Sequence, residues 1–156
     1  MKCVFIINPH AGEADNEEKI RREAAGIEGA DCEFYVTKAV GDATEFVRNW
    51  CKEHAGEEVR FIACGGDGTI NEVFNGAVGQ KNVSVSCYPC GSGNDFIKKS
   101  GHSTNVKEAV QTILNGKVGF VDYMELGKYR CLNVGGGGMD VDVLLKYANC
   151  KTLKGK

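Results

Sequence analysis

Residues Val59 to Gly76 read VRFIACGGDGTINEVFNG, and this stretch decides the fold. Val59 to Ala63 is a short apolar run of the kind that becomes a buried strand of a parallel sheet. Beyond it, Ile70, Val73, Phe74 and Ala77 recur at helical spacing. The glycines between them therefore sit on a strand-to-helix turn. Gly65, Gly66 and Gly68 have no Cβ, so positive φ is open to them and a ligand can approach their backbone. The helix that follows aims unpaired N–H groups and its positive dipole end at the turn, which suits phosphate oxygens. Asp67 stands among those glycines. A carboxylate repels an anion unless a metal ion or a proton lies between them, so Asp67 reads as a Mg²⁺-linked or proton-accepting group. The plainer alternative is a helix start, with Asp67 or Thr69 as the cap and the glycines as a tight turn. Thr69, Asn71, Glu72 and Asn75 extend the stretch with polar groups, and Phe74 gives it an apolar back.

The same alternation extends in both directions. Lys2 to Ile7 reads as a strand, followed by the loop Asn8, Pro9, His10, Ala11, Gly12. Asn16 to Ala25 is a charged helix with Ile20 inward. Cys32 to Thr37 is a second strand. Gly41 and Asp42 open an amphipathic helix with Ala43, Phe46, Val47 and Trp50 on one face. The helix after the central turn runs to about Val78, and Val83 to Cys87 is the fourth strand. A glycine-rich turn, Tyr88 to Phe96, follows. Val106 to Leu114 is a further amphipathic helix that ends at Asn115 and Gly116. From Lys117 the pattern changes: Val118 to Leu126 and Arg130 to Val134 read as strands joined near Gly127 and Lys128 in a hairpin. Gly135 to Gly138 is a turn, and Met139 to Asn149 reads as a helix.

Strands alternating with helices at this spacing give an α/β fold, three layers deep, with a mostly parallel sheet and helices on both faces. In such sheets ligands bind at the carboxyl ends of the strands. Those ends are Asn8 to Gly12, Thr37, Gly65 to Thr69 and Tyr88 to Asp95, so every polar, glycine-rich loop falls on one edge.

The 156 residues amount to one domain. A net charge of −2 and the lack of a dense Lys/Arg run argue against a nucleic-acid partner. No stretch approaches the ~20 apolar residues of a transmembrane segment, and no secretory signal opens the chain. The 8 cysteines then read as reduced thiols of a cytoplasmic protein, several of them small hydrophobes in strands. Cys87 and Cys90 form a C-x-x-C with no second ligand pair, so a strand end and turn is the better reading than a redox or zinc pair.

One edge thus combines flexible turns, a helix N-terminus, Asp67, Asp95 and the hydroxyls of Thr37, Thr69 and Ser92. That set suits a nucleotide polyphosphate with a metal, because phosphoryl transfer needs positioning and charge neutralisation more than covalent help. The P-loop pattern, a strict G-x-G-x-x-G and G-x-S-x-G are all absent. Plain alternatives stay open: Thr37 as an ordinary strand end, Asn8-Pro9 as only a turn, Ser92 and Asn94 as caps of a short helix through Phe96. Asp122 lies in an apolar run, where a carboxylate needs a partner or a metal unless it faces solvent.

Together these pieces resemble the catalytic domain of the diacylglycerol kinase family, in its bacterial lipid kinase branch related to sphingosine and ceramide kinases. The matching residues are Asn8-Pro9 with Gly12, Thr37, Gly65 to Gly76, Pro89 with Gly91 to Phe96, and Asp122. Gly138-Met139-Asp140 resembles a later family turn in which an aromatic is commoner than methionine. GGDGT is shared with NAD kinases, and GGDG with phosphofructokinases, so the implied fold is the N-terminal domain of that superfamily. Asn71-Glu72-Val73 and Gly93 to Phe96 narrow the resemblance to lipid kinases.

The resemblance implies ATP contacts from Asn8, Pro9, His10, Ala11, Gly12, Thr37, Gly66, Asp67, Gly68, Thr69, Ile70, Asn71, Glu72 and Ser92. It places Asp67, Asp95 and Asp122 in an acidic Mg²⁺-linked network. The implied reaction moves the γ-phosphoryl of ATP to a lipid hydroxyl, with diacylglycerol giving phosphatidate. The implied location is the cytoplasm, with peripheral contact at the inner membrane face. Family members are longer and carry a second, mostly β domain with further metal ligands and a carboxylate proposed as the base. Residues 1–156 are then expected to form the nucleotide-binding domain alone, to bind nucleotide weakly and to turn over little lipid. Apolar surface near residues 120–150 is expected to lie open to self-association as a homodimer. Two rival readings are a soluble-acceptor kinase of the NAD or sugar kinase type and a nucleotide-binding domain without catalysis.

Overall fold

Lys2–Ile7 forms strand β1, whose apolar side chains are buried on both faces, as expected of a strand inside a parallel sheet. The computed structural model describes residues 2–13, 15–26, 31–91, 93–98, 106–135, 141–142 and 145–146. Around β1 the chain adds α1 (Asn16–Ala25), β2 (Asp31–Val36), α2 (Asp42–Glu53), β3 (Val59–Gly65), α3 (Asp67–Ala77), β4 (Val83–Pro89), α4 (Asp95–Lys98) and α5 (Val106–Asn115). The four strands are parallel and lie in the order β2-β1-β3-β4. The path leaves β1 in one direction for β2, then crosses to the other side of β1 for β3. Between the carboxyl ends of β1 and β3 lies the switch point at which such sheets bind ligands.

Side-chain alternation sorts the helices into two layers. Cys3, Phe5, Ile7, Ile62, Cys64 and Tyr88 face one way and pack with Ile20 and Ala24 of α1 and Ala109 and Val110 of α5. Phe61, one residue out of phase with Ile62, meets Trp50 of α2 edge-on at 5.4 Å. Trp50 and Val47 are buried on that second face, as are Ile70 and Val73 of α3. Helices α2 and α3 approach so closely that a Cβ on Gly76 would stand 2.6 Å from the Cβ of Val47. Each large side chain so buried is worth roughly 1.5–3 kcal/mol.

Arg60 interrupts the apolar run of β3, yet it is only 6% exposed. Its guanidinium donates to the carbonyls of Ile113, Leu114 (3.1 Å) and Gly116 (3.2 Å). Those are orphan acceptors at the end of α5, which a cation suits. Reading residues 59–64 simply as an apolar strand gives no hint of this use.

The contacts divide the chain into Met1–Asp122 and Tyr123–Lys156. In the second unit Met124–Leu126 (β5) and Tyr129–Cys131 (β6) pair antiparallel about Gly127, whose φ is +60°. The expected hairpin is therefore present, with shorter strands: residues 116–123 have no regular structure, and Phe120 is fully exposed. Asp122 thus lies on irregular exposed chain rather than inside a strand. The helix expected over Met139 to Asn149 and the turn Gly138-Met139-Asp140 fall largely outside the described residues.

Candidate functional site

Asn8 prolongs β1 into the site. Its backbone N–H donates to Cys64 O at 3.0 Å, which carries the β1–β3 ladder one step further. Its side-chain oxygen accepts the N–H of His10 at 2.9 Å, an Asx turn that shapes the loop through Ala11. Its Nδ2 donates to Thr69 Oγ1 at 3.2 Å, across the switch point. Gly12 closes this loop at φ +80°, and a Cβ there would meet Asn16 Nδ2 at 2.2 Å and Cys90 O at 2.9 Å. Pro9 and His10 are exposed. At the end of β2, Thr37 donates its N–H to Ile7 O at 2.9 Å, and its hydroxyl turns to the same carbonyl at 3.4 Å.

The central turn differs in detail from its expected form. Gly66 is extended (φ −94°, ψ −167°), and the positive-φ glycines lie elsewhere, at 12, 41, 56, 79 and 127 among the described residues. Gly65 and Gly66 serve close approach instead. A Cβ on Gly65 would stand 2.2 Å from Thr69 Oγ1, and one on Gly66 would stand 3.3 Å from Gly91 Cα. At Gly68 a Cβ would meet nothing within 4 Å, so the backbone is open there. The N-cap of α3 is Gly66, which offers no side chain for capping. Thr69 is 7% exposed and tied to Asn8, and Ile70 is buried in the core. Asn71 and Glu72 are half-buried, and Glu72 O accepts the hydroxyl of Thr44 at 2.9 Å.

Asp67 instead reaches sideways. Its two carboxylate oxygens accept the backbone N–H groups of Asp95 and Phe96, each at 3.1 Å. A carboxylate at the start of a helix is well placed electrostatically, and these bonds tie the β3 turn to the turn after β4. The Cys90 N–H donates to Gly65 O at 3.0 Å, and a Cβ on Gly91 would fall 2.5 Å from Gly66 Cα. Both atoms of that last clash belong to backbone, so neither turn yields without moving the other. Gly91→Ala is expected to destabilise the fold by ~1–3 kcal/mol. Gly68→Ala, with open space at its Cβ, stays within ~0.5 kcal/mol of the parent. Thermal unfolding of the two variants checks the contrast, and equal shifts would refute it.

Gly93 lies between two carboxylates: a Cβ there would stand 3.0 Å from Asp67 Oδ2 and 3.8 Å from Asp95 Oδ2. Asp95 also pairs with Lys98. The structure therefore brings Asn8, Thr69, Asp67 and Asp95 together at one edge, with Thr37 one strand away on β2. Asp122 stands on the exposed chain after α5; among the described residues no three His, Cys, Asp or Glu groups gather to hold a metal. Ser92 lies outside the described residues.

Both thiols of the C-x-x-C are shifted upward. Burial, with the negative charge of Asp67 nearby, pushes the Cys87 thiol up to about 12, and burial pushes Cys90 up to about 12. Both are neutral thiols near pH 7, the opposite of the lowered values that mark redox and metal-binding cysteines. Gly91, Asn94 and the amides of residues 95 and 96 are site components that residue types alone did not single out. The run Gly91 to Asp95 signalled a turn, but not the backbone it grips.

The Diacylglycerol kinase catalytic domain model matches residues 2–126. A Diacylglycerol kinase of Bacillus subtilis (strain 168) is 32% identical over 139 residues, covering 86% of this chain and 45% of its own length. One from Staphylococcus saprophyticus is 33% identical over 120 residues, covering 76% of this chain and 37% of its own. The chain thus spans less than half the length of these curated relatives. Among solved structures, that of a diacylglycerol kinase from Bacillus anthracis str. Sterne superposes with a TM-score of 0.67 at 29% identity, covering 93% of this chain and 51% of that one. With the family model spanning most of the sequence, and a parallel sheet whose polar loops meet at the switch point, this chain belongs to the diacylglycerol kinase catalytic domain family.

Proposed function

We propose that this domain binds ATP with Mg²⁺ at the carboxyl edge of its sheet and serves transfer of the γ-phosphoryl to a lipid hydroxyl, diacylglycerol being the leading acceptor. The observation that carries the reading is the joining of the β1, β3 and β4 exits around Asp67, beside an α3 N-terminus whose N-cap is Gly66. Amides of Gly66 to Thr69 face the phosphates, as helix N-termini do. Thr69 and Ile70 contribute through backbone, since their side chains are buried. Loop Asn8 to Gly12, Thr37, Asn71, Glu72 and Ser92 complete the proposed nucleotide contacts.

Mg²⁺ is held in such sites by one or two carboxylates together with substrate phosphates, and Asp67 and Asp95 on either side of Gly93 fit that donor set. When bound, the ion neutralises charge on the β- and γ-phosphates. Asp122 is proposed as the third member of the acidic network. The acceptor oxygen forms a bond to the γ-phosphorus as the bond from that phosphorus to the β-phosphate oxygen breaks, releasing ADP, and the hydroxyl proton is released to solvent. The chain's own work is to orient the triphosphate in line with that oxygen. The proposed setting is a membrane surface, reached from the cytoplasm. No helix among the described residues is long and apolar enough to cross a membrane. Self-association as a homodimer through the exposed apolar segment near Phe120 is proposed as well.

Incubating the full-length protein with labelled ATP, Mg²⁺ and a panel of acceptors tests the function. Diacylglycerol vesicles, a ceramide-type lipid, NAD and a sugar phosphate separate the classes. Label is expected in the lipid fraction, and residues 1–156 alone are expected to transfer little. Label confined to a soluble acceptor would replace the lipid reading, and nucleotide binding without any transfer would favour a non-catalytic domain.

A further inference from the structure

Among the described residues only two non-glycines adopt positive φ, Asn82 and Asn94. Asn94, at φ +53°, sits in the turn that meets Asp67. Its Oδ1 accepts the Gly91 N–H at 3.0 Å, and its Nδ2 donates back to the Gly91 carbonyl. Its own carbonyl accepts the N–H groups of Ile97 and Lys98, at 3.3 and 3.2 Å. One residue therefore closes the turn on one side and starts α4 on the other. Helix α4 has four residues, none of them fully buried, so it has little packing to orient it.

Two grips hold this turn against the central one. Gly91 lies against Gly66, and the amides of Asp95 and Phe96 meet the Asp67 carboxylate. Asn94 spans both grips: its side chain is bonded to the first, and its backbone leads directly into the second. We infer that Asn94 is a positioning residue. Its two-pronged bond to Gly91 holds the left-handed backbone that aims the Asp95 and Phe96 amides at Asp67, and this sets the direction in which Asp67 faces the nucleotide. Only the last clause rests on the proposed kinase reading. Left-handed backbone is strained for most residues but accessible to Asn and free of cost for Gly. Asn94→Gly therefore keeps the backbone conformation and removes only the two side-chain bonds. Asn94→Asp keeps the acceptor for the Gly91 N–H and sets an oxygen against the Gly91 carbonyl.

Amide hydrogen exchange on the 156-residue chain reads the first part. In Asn94→Gly the Asp95 and Phe96 amides are expected to exchange about tenfold faster or more, with β1 and β3 amides unchanged and Asn94→Asp intermediate. Unchanged exchange at 95 and 96 would overturn the inference, as would acceleration spread through the sheet, which marks a general structural role. Steady-state assay of the full-length protein reads the second part: kcat is expected to fall at least tenfold while the KM for the acceptor holds. A kcat equal to that of the parent, with exchange accelerated, would overturn the link to the site. If the unmutated protein transfers no phosphoryl group, the kinase reading fails by itself, and the exchange result still decides the role of Asn94 in the turn.

Discussion

Asp67→Asn is expected to lower phosphoryl transfer by roughly 10²–10³-fold while leaving the protein folded. The native carboxylate presents two acceptor oxygens, and each receives one backbone N–H, from Asp95 and from Phe96. Asparagine keeps one acceptor and substitutes an NH₂ for the other, so one of the two amides faces a donor. The negative charge proposed to hold Mg²⁺ beside Gly93 also disappears. Loss of a single preorganised electrostatic group in an active site typically produces an effect of that order. The cost in stability is expected to stay at ~1–3 kcal/mol, because the bonds lost are charge-assisted but few and the helix they start is short. Initial rates with saturating ATP, read beside thermal unfolding, separate the two effects. A variant within threefold of the parent rate would remove Asp67 from the chemistry, and one that fails to fold would recast it as a structural strut.

The second large effect concerns stability rather than turnover. Arg60→Ala is expected to destabilise the domain by about 2–4 kcal/mol, since hydrogen bonds to a charged group are worth ~1.5–3 kcal/mol and the carbonyls left behind are only partly open to water. Three carbonyls at the end of α5 lose their donor at once, and a cavity opens beneath that helix. Against a typical total of ~5–15 kcal/mol, this is a large fraction. Arg60→Lys should recover only part of the loss, since one ammonium does not span three acceptors held in a planar fork. Urea unfolding of the three proteins gives the comparison, and an Arg60→Ala midpoint matching the parent would refute the capping role. Arg60 lies at the start of β3, the end of the strand remote from the polar loops. Protein that remains folded should therefore keep its affinity for ATP, which distinguishes this variant from Asp67→Asn.

Much of the architecture was legible before any coordinates. Apolar runs of strand length alternate with helical periodicity from Lys2 to Asn115, and only a parallel sheet covered on both faces buries both patterns. The placement of the polar loops on one edge follows from that topology. Less was legible in the turns themselves. Gly65 and Gly66 read as residues freed for positive φ or for a ligand. Their lack of a Cβ actually makes room for Thr69 and for Gly91, neighbours that only folding brings near. Asp67 read as a Mg²⁺-linked or proton-accepting group, or as a cap of α3, and nothing in that reading pointed to the amides 28 and 29 residues further on that its oxygens accept. The segment Val118 to Asp122 has strand-like composition but no strand, because a strand forms only where a partner supplies its hydrogen bonds.

Residue order by itself determined the layering, the strand direction and which edge carries the polar groups, since burial periodicity and connection length are local properties of a chain. Tertiary structure alone decided which loop grips which: Gly91 on Gly66, residues 95 and 96 on Asp67, Arg60 on the end of α5. Those contacts join segments more than twenty residues apart. Their partners are set by how the strands lie side by side, which no local pattern records.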